Sequence, residues 1–214
     1  MRFFAAAALA AGLSFSTTAF AEEEAEAYTE INAETMVADF NGTWGEAKGV
    51  QGTVTQWETD LKAAREGFNE AVGIAKDAPI EKAIESLKEQ AGEHLQVTLD
   101  GGKPNITVAD AAPDNVKAAV EALKGCVASA EAVVAGGPEI VEQSKAVGEK
   151  AAAIPGQLNP SFFKDNGIKK PGDIKNATKE QKDNIAALAD TDERIKGVIA
   201  EATAIVDSVK ALAG

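Results

Sequence analysis

Residues 40–75 read FNGTWGEAKGVQGTVTQWETDLKAAREGFNEAVGIA, and the spacing of their apolar side chains decides the fold. Phe40, Ala47, Val54, Leu61, Phe68 and Ala75 recur every seven residues, and Val50, Trp57, Ala64 and Ala71 recur at the same interval three places on. Two interleaved series of this kind lay one apolar seam along a helix, as in coiled coils and bundles. Gly42, Gly45, Gly49 and Gly52 weaken the first half, each by up to about 1 kcal/mol relative to Ala. The helix is therefore expected to be firmest after Thr53.

The same pattern continues down the chain. Asp77-Ala78-Pro79 closes this segment and puts proline in the first turn of the next. There Ile80, Ile84, Leu87, Ala91 and Leu95 define a shorter amphipathic helix. It stops near Asp100-Gly101-Gly102-Lys103-Pro104, a strong turn signal. Val97, Leu99, Ile106 and Val108 alternate on either side of that turn, so a small hairpin is its second reading. Ala112-Pro113-Asp114 opens a third helix with series Val120, Val127, Val134, Val141, Gly148 and Val116, Leu123, Ala130, Gly137, Ser144, Ala151. Their phase survives Gly136-Gly137-Pro138, which predicts a kinked but collinear helix there. A fourth helix carries Ile185, Ile199 and Val206, interrupted by Asp192, beside Leu188, Ile195, Ala202 and Val209. Thr178 and Gln181 are spaced as its capping box. The expected fold is all-α: an antiparallel bundle of about four long amphipathic helices forming a single domain over 35–214. Trp44, Trp57 and Phe68 of the first helix would fill space left by the small residues of the third.

One connection is unlike the others. Residues 154–177 hold Pro155, Pro160, Pro171, Gly156, Gly167 and Gly172 around Ser161-Phe162-Phe163-Lys164. Long irregular loops are uncommon in compact domains and often functional. This one is basic in an acidic protein, with Lys164, Lys169, Lys170 and Lys175 against Asp165 and Asp173. Phe162, Phe163, Lys164, Lys169 and Lys170 are thus a candidate recognition loop. The competing reading has both phenylalanines capping one end of the bundle.

The chain begins Met1-Arg2, runs almost wholly apolar from Phe3 to Leu13, and reaches Ala19-Phe20-Ala21 directly before Glu22-Glu23-Glu24. A positive start, a short apolar core and a small-residue cleavage site describe a secretory signal peptide over 1–21. The apolar run is too short to span a bilayer, which takes roughly 17–25 residues. The mature protein is expected to be exported, periplasmic or extracellular, without a transmembrane segment. Residues 22–34 read as an acidic, flexible N-terminal stretch.

The 214 residues carry a formal charge of −13, and loss of Arg2 with the leader would make it −14. Such a body repels phosphate, so nucleic acid is not an expected partner. Cys126 is the only cysteine. It has no intrachain disulfide partner, and it reads either as a buried small hydrophobe or as a thiol joining two chains.

Signals for chemistry are weak. His94 is the one histidine, so neither paired Glu-x-x-His metal ligands nor a well-supported Cys/His nucleophile is available. Asp190, Asp192 and Glu201 mimic part of a calcium loop, but Arg194 and Ile195 stand where a ligand and glycine belong. Glu81, Glu85, Glu89 and Glu93 read as a solvated acidic face. Asn41, Asn105 and Asn176 match the glycosylation acceptor pattern. No motif assigns the chain to a family.

These observations lead to an expectation without catalytic residues, metal or cofactor: an exported, non-enzymatic bundle acting through protein–protein contacts. It would be a structural, adaptor or chaperone-like component, its partner an envelope or extracellular protein or a second copy. The alternative is a periplasmic or secreted carrier of a hydrophobic small molecule or lipid, housed where Ala130, Gly137, Ser144 and Gly148 leave room.

Overall fold

The computed structural model describes residues 28–213. The leader at 1–21 and the first part of the acidic stretch lie outside the described residues. After a 3-10 turn at Ala38–Phe40, the elements are α1 (Asn41–Ala71), α2 (Ile80–Ala91), β1 (Leu95–Asp100), β2 (Lys103–Val108), α3 (Asp114–Gln157), α4 (Pro160–Asp165) and α5 (Pro171–Lys210).

α1 is helical from Asn41 onward, earlier than its glycines suggested. Trp44, Ala47, Val50, Val54, Leu61 and Phe68 are all buried along one face. Full burial of a large apolar side chain contributes about 1.5–3 kcal/mol, which offsets the cost of the glycines. Gly42, Gly45, Gly49 and Gly52 point outward, with no atom within 4 Å of where a Cβ would stand.

The pairings of α1 fix the directions of the long helices. Its Trp44, Glu58 and Arg65 meet Gln181, Arg194 and Glu201 of α5, so the two run parallel. Glu46 meets Lys150 of α3, while Trp57 lies against Gly136, so α3 runs the other way. α1 and α5 each pack more extensively on α3 than on one another. Three long helices therefore carry the fold. The expected second long helix is α2, of 12 residues, followed by a two-stranded sheet.

That sheet settles the turn at Gly101-Gly102 as a hairpin. Asp100 pairs with Lys103 and Val97 with Ile106, leaving a two-residue turn. Both glycines have positive φ, +57° and +83°, which a hairpin turn of this length requires. Ile106 is buried against the bundle, and Leu99 is exposed at the tip.

α3 continues through Gly136-Gly137-Pro138 and past Pro155 as one helix of 44 residues. The glycines there admit neighbours. A Cβ on Gly136 would stand 2.8 Å from the Trp57 ring, and one on Gly137 2.9 Å from Ile199.

Residues 154–177 are not the long irregular loop read from their prolines and glycines. α3 extends to Gln157, Asn159 caps α4 by accepting from the Phe162 amide, and Pro171 opens α5. Prolines at the first positions of helices mark starts here, not loop. The Thr178–Gln181 spacing falls well inside α5, and Gln181 is buried with its Oε1 accepting from Trp44 Nε1 at 2.6 Å.

Candidate functional site

The helices α1 and α5 leave a seam between them, and a non-helical strap, Tyr28–Val37, lies in it, bent at Ala33, Glu34 and Met36. Its bonds descend from Thr55 and Gln51 toward Asn41 on α1, so the strap runs antiparallel to both helices. This corrects the flexible reading of 22–34 for its described part. Ile31 and Val37 are fully buried, packed with Trp44, Ala47, Ala187 and Leu188.

The seam grips main chain. Gln51 of α1 accepts from the Ile31 amide at 3.0 Å and donates to the Thr29 carbonyl at 3.1 Å. Asn184 of α5 accepts from the Asn32 amide at 2.9 Å and donates to its carbonyl at 2.8 Å. Both carboxamides therefore use donor and acceptor together. Glu180 accepts from the Met36 amide at 2.9 Å, and Asn41 from the Thr35 amide at 3.0 Å. Thr191, fully buried, accepts from Gln51 Nε2 at 3.4 Å and holds that carboxamide in place.

Side chains of the strap are read at few points. Ile31 enters the apolar floor. The guanidinium carbon of Arg194 stands 4.0 Å from the centroid of the Tyr28 ring, a cation–π contact. Arg194 is fixed by Glu58 at 3.0 and 2.6 Å and by Thr55 at 2.8 Å. The hydrogen bond to Glu58 is the main reason its pKa is raised. Beside Tyr28 an open cavity of about 210 Å³ is lined mostly by polar residues, among them Glu30, Lys48, Gln56 and Thr59.

The residues singled out from the sequence fall elsewhere. Phe163 is buried, and Phe162 stacks on Phe40 with centroids 5.3 Å apart, so both close one end of the bundle. Lys164, Lys169 and Lys170 are exposed at that end and form no ion pair among the described residues. Cys126 is fully buried in α3, with its thiol pushed up to about 11 chiefly by that burial. That burial fits the small hydrophobe of the two readings of Cys126. The charged groups acting on Cys126 are Arg65 and Glu201, not His94. No cluster able to hold a metal ion occurs among the described residues.

Gln51, Asn184 and Thr191 were missed because polar residues within helices read as solvent-facing. A signal was present. Asn184, Thr191, Val198 and Ile205 repeat every seven residues, and the Leu188–Ile195 series extends back to Gln181. Polar residues in phase with a buried seam mark something to be hydrogen-bonded.

Compared with protein families, with curated proteins and with solved structures, the chain matches none.

Proposed function

We propose that this protein is exported and acts without catalysis, holding a polypeptide segment in the α1–α5 seam as a structural, adaptor or chaperone-like component of the cell envelope. One observation carries the reading: Gln51 and Asn184 each bond a peptide carbonyl and a peptide amide of the strap. Recognition through main chain suits polypeptide ligands, with pockets for alternate side chains adding selectivity. The order of residues 1–21 supports export.

The carrier of an apolar molecule has less support. Ile199 and Trp57 occupy the space that Gly137 and Gly136 leave. The cavity at Tyr28 is open and polar, and at about 210 Å³ it is smaller than typical ligand sites of roughly 300–1,000 Å³.

The test is a photo-reactive residue at Gln56, which is exposed and lines the cavity, in protein expressed by its native cell. Adducts with polypeptide are expected. Adducts confined to lipid, or to residues of the same molecule, would overturn the reading.

A further inference from the structure

We propose that the α1–α5 seam receives the Tyr28–Val37 strap of a second copy of this chain, giving a strap-exchanged dimer. The inference rests on the reading of the seam as a polypeptide site and names its partner. Exchange of an identical element is a low-cost route to a dimer, because each contact made within one chain is remade between two.

The seam already shows which occupant fits. Every bond that Gln51, Asn184 and Glu180 make to the strap ends on one of its main-chain atoms. The apolar floor takes Ile31 and Val37. A strap entering from another molecule presents the same atoms in the same order, with Ile31 and Val37 in register for the apolar floor.

Connectivity favours exchange as well. The strap lies at the N-terminal side of the bundle and joins it only through the turn Ala38–Phe40. Ala38 and Asp39 of that turn are exposed, and a hinge confined to them leaves Phe40 stacked on Phe162. Glu30 and Glu34 remain in solvent, so seating the strap buries neither carboxylate. Both copies are acidic at −13, and their long-range repulsion is screened by salt. Exchange is therefore expected to rise with ionic strength.

The experiment mixes two full-length chains, one carrying Tyr28→Cys and the other Gln56→Cys, which line one cavity. Cys126 stays in both, since it is buried. The mixture is warmed short of global unfolding, cooled slowly at high concentration, and treated with a short thiol-to-thiol cross-linker. A product joining residue 28 of one chain to residue 56 of the other is expected, rising at least about tenfold over the unwarmed mixture. Glu30→Cys in place of Tyr28→Cys gives the same readout without touching the Arg194 contact. Gln56→Cys mixed with Thr98→Cys, on the exposed face of the hairpin, sets the collisional background.

Product no higher than that background in both pairings overturns the proposal. So does the native-cell experiment if its adducts join the seam to other polypeptides and never to a second copy, an outcome that leaves the polypeptide site standing. Absence of any polypeptide adduct overturns both.

Discussion

Asn184 holds Asn32 by a closed pair of hydrogen bonds, accepting from its amide at 2.9 Å and donating to its carbonyl at 2.8 Å. A side chain on α5 thereby stands where a neighbouring β-strand would, and it fixes main chain regardless of the side chain at position 32. This pair, repeated in kind by Gln51, sets the expectations below.

Asn184→Ala removes both bonds at once. A hydrogen bond contributes a net of about 0.5–1.5 kcal/mol, so the strap should lose about 1–3 kcal/mol of local stability. Amide exchange at Ile31 and Asn32 should quicken by about 10- to 100-fold, while amides in the middle of α3 change much less. Equal acceleration at both places would mean that the strap does not open as a separate unit.

The same substitution should have opposite signs on two helices. Gly45→Ala and Gly49→Ala place a methyl in open space on α1, so each should stabilise by up to about 1 kcal/mol. That corresponds to a rise in Tm of roughly 2–4 °C for a chain of this size. Gly136→Ala drives a Cβ to 2.8 Å from the Trp57 ring, and overpacking of this kind costs about 1–3 kcal/mol. Thermal melts of the three variants decide the matter.

The heptads made the long helices legible, and Phe40, Ala47, Val54, Leu61 and Phe68 are buried as their spacing required. Ala75 is not, because α1 ends at Ala71. Punctuation was harder to read. Pro155 is tolerated inside α3, whereas Pro160 and Pro171 open helices, and local composition does not separate these roles. The site was least legible, because it depends on contacts such as Asn32 with Asn184, 152 residues apart. Composition marked the segment around Ile31 as an acidic tail, and only the tertiary seam gives that residue a place to be buried.

Cys126 should be inert in the native state and should make stability fall in alkali. Its thiol is raised from 9.0 to about 11 by burial, so the folded state retains a proton that the unfolded state gives up. Below pH 9 both states are protonated and the thiol has no effect. Between pH 9 and about 11 stability declines, by about 2–3 kcal/mol in all. Denaturant melts across that range should show the decline in the native sequence and less of it in Cys126→Ala. A thiol reagent at neutral pH should label Cys126 only after unfolding.

Arg194→Lys keeps the charge but loses the planar fork that spans both Glu58 oxygens and stacks on Tyr28. A loss of about 1–2 kcal/mol is expected for a partly exposed pair. A double-mutant cycle with Tyr28→Leu should give a coupling of about 0.5–2 kcal/mol. A coupling of zero would show that the ring and the guanidinium lie together without attraction.

On the proposed function, the α1–α5 seam recognises polypeptide through its main chain. The most direct measurement of this is an NMR titration of the full chain bearing Ile31→Asp, which loosens its own strap, with a free peptide of sequence YTEINAETMV, residues 28–37. Saturable shifts are expected at Gln51, Asn184 and Thr191, absent when the peptide carries the same Ile31→Asp change. Shifts scattered over the surface, or equal for both peptides, would contradict that reading.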